Sequence, residues 1–264
     1  MIAIVRGGGD LATGIIYRLW KVGFKVLCLE VEKPLVIRRT VSAAQAIYEG
    51  SYTIEDMCVK HIDTVSQFTE SQCKDPCIII DPQGKSIPKL RPEIVIDAIM
   101  AKNNIGTHIK MADIVVGAGP GFYAGKDVHA VVETKRGHYL GRVIYDGCAM
   151  PNSGIPGIIM GYGKERVIYA TSEGPFVPEK QIGDHVEADD IIGSIGEVKL
   201  RAPISGVIRG LIHESIYITK GLKMADIDPR GERDHCFTIS DKALSVGGGV
   251  LEAVFCLAKD RNLI

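Results

Sequence analysis

The chain has 264 residues, 46% of them hydrophobic and 24% charged, with a formal net charge of −1 at pH 7. That length supports one large domain or two modest ones around a buried core, and the near-zero charge removes the electrostatic case for nucleic acid or an acidic membrane surface as partner. Seven scattered cysteines, no basic apolar leader, and a longest apolar run (Val246 to Ala258) broken by glycines point to a reducing cytoplasm rather than secretion or a membrane.

The first segment, Met1 to about Asn104, alternates strands with helices. Ile2-Ala3-Ile4-Val5 reads as a buried strand. Arg6 to Gly14 follow as a glycine turn, and an amphipathic helix with Leu11, Ile15, Leu19 and Val22 on one face runs to Val22. Gly7, Gly9 and Ala12 fit the G-x-G-x-x-(G/A) spacing that lets a backbone approach a pyrophosphate, with Gly8 between them. A second strand, Lys25 to Val31, ends near Glu30, at the distance where an acidic side chain binds ribose hydroxyls. Asp10 argues the other way: at the helix entry its carboxylate opposes a phosphate, or serves as the N-cap. A nucleotide site and a structural turn both remain open. Arg38 and Arg39 read either as a clamp for phosphate or carboxylate or as a solvated pair before a helix at Ser42 to Glu49. A strand at Cys77 to Asp81 and a helix from about Pro92 to Lys102, with Ile94, Val95, Ala98 and Ile99 inward, complete a doubly wound parallel sheet.

A second segment, about Ile105 to Gly163, opens with strand Asp113 to Val116 and a second glycine loop, Gly117-Ala118-Gly119-Pro120-Gly121. In it Lys126 is a candidate anion contact and Asp127 a candidate base or hydrogen-bond acceptor; a purely structural turn carries equal weight. Strands at Val128 to Thr134 and Tyr139 to Tyr145 precede an irregular loop, Gly147 to Gly157, where Cys148 is a thiol able to carry sulfur or selenium if its thiolate is stabilised. A third segment, about Glu165 to Gly231, has short strands punctuated by glycine and proline, the texture of a compact all-β module. Gly183-Asp184-His185-Val186, Ala202-Pro203-Ile204-Ser205-Gly206 and Thr219-Lys220-Gly221 follow the order of turns in the barrel-sandwich hybrid of biotinyl and lipoyl domains. Lys199 falls inside a strand, so a docking or packing module is expected rather than a carrier. The tail, His235 to Ile264, reads as strand Cys236 to Ile239, then Gly247 to Gly249, then a helix with Leu251, Val254, Phe255 and Ala258 inward, packing back on the α/β region. The fold class is therefore α/β: a Rossmann-like sheet domain over residues 1–163 plus a small all-β module over 165–231. The histidines show no metal-ligand spacing, Cys73 and Cys77 lack a partner pair for zinc, and no metal is expected.

The strings GGGDLATG (Gly7 to Gly14), VIRRTVS (Val36 to Ser42), YEG (Tyr48 to Gly50) and LRPEIVIDAIMAKNN (Leu90 to Asn104) carry a resemblance. So do VVGAGPGFYAGKDVHAVVETKRGHYLG (Val115 to Gly141), PNSGIPG (Pro151 to Gly157) and DIDPRGE (Asp226 to Glu232). Together they resemble the YqeB-type accessory proteins of the selenium-dependent molybdenum hydroxylase system, over essentially the whole chain. The resemblance implies a maturation role for a molybdenum hydroxylase: binding a nucleotide or the pterin cofactor at the Gly7 and Gly117 loops and helping deliver selenium, sulfur or cofactor. The hydroxylase or its maturation machinery is then the partner. An NAD(P)-dependent oxidoreductase and a non-catalytic scaffold are the alternatives.

Overall fold

A computed structural model of the chain describes residues 1–264 apart from 71–73, 102, 153 and 155, together with the side chain of Glu70. Cys73, Lys102 and the Ser153 and Ile155 positions of PNSGIPG therefore lie outside the described residues. The backbone divides into two compact units, one of Met1–Pro34, Ser42–Ser153 and Ile239–Ile264, the other of Leu35–Val41 and Gly154–Thr238.

The first unit is built on one mixed sheet. Its elements in chain order are β1 (Ile2–Arg6), α1 (Asp10–Lys21), β2 (Lys25–Glu30), α2 (Gln45–Glu49), β3 (Ser51–Ile54), β4 (Met57–His61), α3 (Val65–Glu70) and β5 (Cys77–Ile80). Then come α4 (Ser86–Leu90), β6 (Ile94–Asp97), β7 (Ile114–Ala118), β8 (Ala130–Val132) and β9 (Val143–Ile144). Nine strands pair in the order β3-β4-β5-β2-β1-β6-β7-β8-β9. The strands from β4 to β8 run parallel, and the antiparallel β3 and β9 close the two edges. Parallel strands covered on both faces should be apolar throughout, and Ala3, Ile4, Val5, Ile94, Val95, Ile96, Ile114, Val115 and Val116 are all 0% exposed.

The helix expected from about Pro92 to Lys102 does not form among the described residues; Ile94–Asp97 is instead strand β6. Apolar residues at 94–96 satisfy a strand buried on both faces as well as a helix stripe, and β6 has partners on both sides in β1 and β7. The tail also differs: Arg233–Cys236 is a 3-10 turn, and α5 runs Asp241–Asp260 with the three glycines inside it. Ser240 caps it by accepting from the Ala243 N–H. Phe255, expected inward, is 42% exposed, and Val22 lies beyond the end of α1, 49% exposed.

The glycines inside α5 have a packing reason. A Cβ on Gly14 of α1 would lie 2.3 Å from the Ala243 carbonyl oxygen, and one on Gly247 would lie 2.4 Å from that of Gly14. α1 and α5 thus run side by side in the same direction with backbones in contact, over the sheet face lined by Val5, Val26, Ile96 and Val116. The opposite face is covered by Phe68, Ile87 and Phe122 among others.

The second unit holds two four-stranded antiparallel sheets. Its strands are β10 (Val167–Tyr169), β11 (Gly174–Pro178), β12 (His185–Val186), β13 (Ile191–Ile195), β14 (Val198–Arg201), β15 (Gly206–Leu211), β16 (Tyr217–Ile218) and β17 (Lys223–Asp228). The sheet orders are β10-β17-β15-β12 and β14-β13-β11-β16. Residues 35–41 join this unit through the Ile37 carbonyl, which accepts the Leu211 N–H at 2.7 Å. Among the described residues no helix is long and apolar enough to cross a membrane.

Candidate functional site

In open α/β sheets ligands bind beyond the carboxyl ends of the strands, where the strand order reverses. Here β1, β2 and β5 step one way and β6, β7 and β8 the other, so the reversal lies between β1 and β6. β1 ends in Arg6, whose register partner on β6 is Asp97. Their side chains form a buried ion pair at 3.4 Å, and Thr107 hydrogen-bonds both. Just above, Gly7 sits at φ +95° with room for no side chain: a Cβ would meet the Ala98 carbonyl at 2.9 Å. Protein atoms therefore fill the bottom of the crevice, and what is open to a ligand lies further out along the same edge.

That edge carries a carboxylate at the end of several strands, each holding the backbone N–H groups of the loop that follows. Glu30 accepts from Gly8 at 2.9 Å and Val31 at 2.6 Å. Asp81 accepts from Lys85 and Ser86, opening α4. Asp97 accepts from Ile99, and Glu133 takes the N–H groups of Lys135 and Met150 at 2.7 Å each. Burial pushes the Glu30 carboxyl above the ordinary range, against the Val31 and Gly8 donors, which pull it down.

The glycine turn is accordingly well braced. The Gly7 N–H bonds the Leu29 carbonyl, Gly8 spends its N–H on Glu30, and the Gly8 carbonyl accepts the Ala44 N–H. Gly9, not Asp10, is the N-cap of α1; Asp10 is its first residue, and its Oδ1 accepts from Leu11. Ala12 is buried against the sheet. In the second loop, the Phe122 ring lies where a Gly117 side chain would be, Gly119 and Gly121 have positive φ, and the Asp127 carboxylate caps the loop by accepting the Tyr123 N–H at 2.9 Å. Lys126 is exposed. Ala124 donates to the Gly147 carbonyl at 2.8 Å, which ties this loop to the one carrying the exposed Cys148. Gly119 lies against Thr134, directly after Glu133. The structure thus brings Gly117, Gly119, Gly121, Lys126, Asp127 and Cys148 into one pair of bonded loops. Arg38 and Arg39 belong to the second unit, where Arg39 Nε donates to the Leu211 carbonyl at 2.7 Å.

Two residues at this edge escaped sequence reasoning. Glu133 directly follows β8, and Lys242 stands in the first turn of α5. Burial pushes the Lys242 ammonium below its usual range; Asp10, Glu133 and Asp241 pull it back up, and Arg136 adds to the lowering. Arg136 is itself held by Asp241 through two bonds of 2.7 and 2.9 Å. A lysine in a helix's first turn opposes the macrodipole, so its position breaks a local rule. That was the signal available: a Ser240 cap followed two residues later by a cation. Because α1 and α5 run in the same direction, their N-termini share this edge, and Lys242 faces Asp10 across it. The arrangement offers backbone donors and one half-buried cation to an anionic ligand, with carboxylates as hydrogen-bond acceptors for its polar groups. Among the described residues no group of three or more histidine, cysteine or acidic side chains is arranged to hold a metal ion.

No family model matches the chain. It is 45% identical over 257 residues to the uncharacterized protein YqeB of Escherichia coli (strain K12), across 97% of this chain and 48% of that protein. The chain therefore spans about half the length of the curated relative it matches. A solved succinylglutamate desuccinylase from a Silicibacter species is similar over 86% of this chain and 84% of its own, at 11% identity and a TM-score of 0.25, which carries no argument.

Proposed function

We propose that the chain, which is similar to about half of YqeB, is a YqeB-type accessory protein in the maturation of a selenium-dependent molybdenum hydroxylase. In this reading it binds a pterin or nucleotide cofactor and assists delivery of selenium, sulfur or the cofactor to the hydroxylase or its maturation machinery. One observation supports the ligand-binding half: Lys242, the N-termini of α1 and α5 and the bonded Gly117 and Cys148 loops occupy one edge of the sheet. A phosphate of the ligand lies against Lys242 and the helix N-termini, where the two N-terminal dipoles and the ammonium stabilise it. The Gly7–Ala12 turn with Glu30 acts as the braced wall of the site, because the Gly8 N–H that a pyrophosphate would use is held by Glu30. Asp10 accepts hydrogen bonds from the ligand's amino or hydroxyl groups. Cys148, exposed beside the second loop, is the candidate carrier of sulfur or selenium.

The strand order β5-β2-β1-β6-β7-β8 favours a second reading, a Rossmann-like domain in an NAD(P)-dependent oxidoreductase. Against it stands Glu30, whose oxygens already hold the Gly8 and Val31 N–H groups. The two antiparallel sheets of the second unit suit a barrel-sandwich-hybrid module that docks a partner, since Lys199 lies in β14 and is paired with Glu179 at 2.8 Å.

Calorimetric titration with a pterin nucleotide, NAD and NADP separates the readings. The expected result is binding of the pterin or nucleotide, weakened roughly tenfold, about 1.4 kcal/mol, in Lys242→Met. Binding of NAD or NADP alone, unchanged in that variant, would overturn the accessory reading. In cells lacking the protein, the hydroxylase polypeptide should accumulate without activity; full activity refutes the maturation role.

A further inference from the structure

We infer that the free edge of β3 is a dimer seam, where β3 of a second copy of this chain adds antiparallel across a two-fold axis at Tyr52. The inference rests on neither the candidate ligand site nor the maturation role.

β3 stands at the end of the nine-stranded order and pairs with β4 alone. In an antiparallel pair, alternate residues turn their main-chain N–H and C=O groups toward the neighbouring strand. The Gly50 carbonyl accepts the His61 N–H at 2.8 Å, so Gly50, Tyr52 and Ile54 face β4, and Ser51 and Thr53 face away from it. The same alternation holds on β4, where Lys60, the register partner of Ser51, turns to the far side and donates to the Pro76 carbonyl at 3.0 Å. Ser51 and Thr53 have no such neighbour. Both are exposed, and nothing among the described residues bonds their outward main-chain groups.

A free edge is ordinarily blunted by shortness, charge or proline. The edge strands β9, β12 and β16 have two residues each, and β14 carries Lys199 and Arg201. β3, with the sequence Ser51-Tyr52-Thr53-Ile54, has four residues, no charge and no proline, and its β-branched and aromatic side chains favour strand pairing.

The edge is also complementary to itself. With the axis at Tyr52, Ser51 lies opposite Thr53 of the partner subunit, and Thr53 lies opposite the partner's Ser51. Each of these pairs exchanges two N–H···O bonds, and their small hydroxyl side chains sit together on one face, a favourable cross-strand pairing. On the other face Tyr52, which packs against the core under α1 and α5, meets the partner's Tyr52 across the axis. Beyond these residues Glu49 comes opposite the partner's Glu55, and the like charges end the seam. Moving the axis to Ser51 or to Thr53 leaves a single bonded pair within the strand, so the register centred on Tyr52 satisfies the most groups. A two-fold seam of this kind closes on itself and produces a dimer, not a filament.

The test is sedimentation velocity of the whole chain under reducing conditions from roughly 1 to 100 µM, with amide hydrogen exchange at both ends of that range. A monomer–dimer equilibrium is expected, with the Ser51 and Thr53 amides exchanging roughly fivefold or more slowly in the dimer. Thr53→Pro removes an N–H that the β3–β4 pair does not use, at an edge position where proline is tolerated, and should stay monomeric. Thr53→Lys keeps the N–H but guards the edge, and should move the midpoint roughly tenfold or more to higher concentration. Circular dichroism matching the wild type establishes that each variant is folded. A wild-type chain that is monomeric at the highest concentration, as when the edge receives an extended segment of another protein instead, overturns the inference. So does a dimer in which the Ser51 and Thr53 amides exchange as in the monomer, or one that both folded Thr53 variants form as readily as the wild type.

Discussion

The run Gly247-Gly248-Gly249 inside α5 gives three adjacent alanine substitutions with opposite expected signs. Glycine in the middle of a helix costs about 1 kcal/mol relative to alanine. At Gly248 an added Cβ would meet nothing within 4 Å, so Gly248→Ala should recover that cost and stabilise by about 0.5–1 kcal/mol. At Gly247 the same methyl would lie 2.4 Å from the Gly14 carbonyl oxygen, and at Gly249 2.1 Å from that of Gly141. Both obstacles are backbone, so α1 or the 141 segment must move. Overpacking of this kind costs ~1–3 kcal/mol, which exceeds the recovered propensity and leaves each substitution destabilising by up to ~2 kcal/mol. The protein has one tryptophan, Trp20, and it lies in α1, so its fluorescence reports the helix pair directly. At roughly 2–4 °C per kcal/mol for a domain of this size, Gly248→Ala should raise the transition by ~1–4 °C and the other two should lower it. If Gly247→Ala melts with or above Gly248→Ala, the two backbones are not in contact and the packing argument fails.

Two further outcomes follow from the sheet edge. Asp97→Asn leaves the Arg6 guanidinium buried without its carboxylate and should cost about 3–5 kcal/mol in urea denaturation; a loss below about 1 kcal/mol would show that the pair contributes little. Glu30 ionises with greater difficulty in the folded protein than unfolded, where its pKa is about 4.3. Its contribution to stability is therefore full below that value and is lost as pH rises through the raised folded pKa. Glu30→Gln should flatten this part of the melting curve against pH between about 4 and neutrality, and superimposable curves for the two proteins would refute it.

β1, α1 and β2 were legible in the sequence because each carries an unambiguous local signal: a buried apolar run, a glycine turn or a single helical stripe. β6 was not, because apolar residues in succession at 94–96 fit a strand covered on both faces and a helix interior equally; only its pairing with β1 and β7 decides. α5 begins before the point its sequence suggests, since three glycines weaken helix propensity and the compensating contact lies on Gly14, far away in sequence. The second glycine loop was legible as a loop. Its link to Cys148 through Ala124 and Gly147, and the approach of Lys242 to Asp10, are long-range contacts that no spacing in the chain announces.

The contact between α1 and α5 joins the start of the chain to a helix synthesised after the whole of the second unit. While the ribosome is still making residues 154–238, the face of the sheet over Val5, Val26 and Ile96 has α1 but lacks its second helix. The first unit therefore cannot close as it emerges, whereas the second needs only 35–41 and its own continuous stretch. Closure of the two units is staggered in time, and a nascent chain paused before Asp241 leaves an apolar sheet face uncovered by α5.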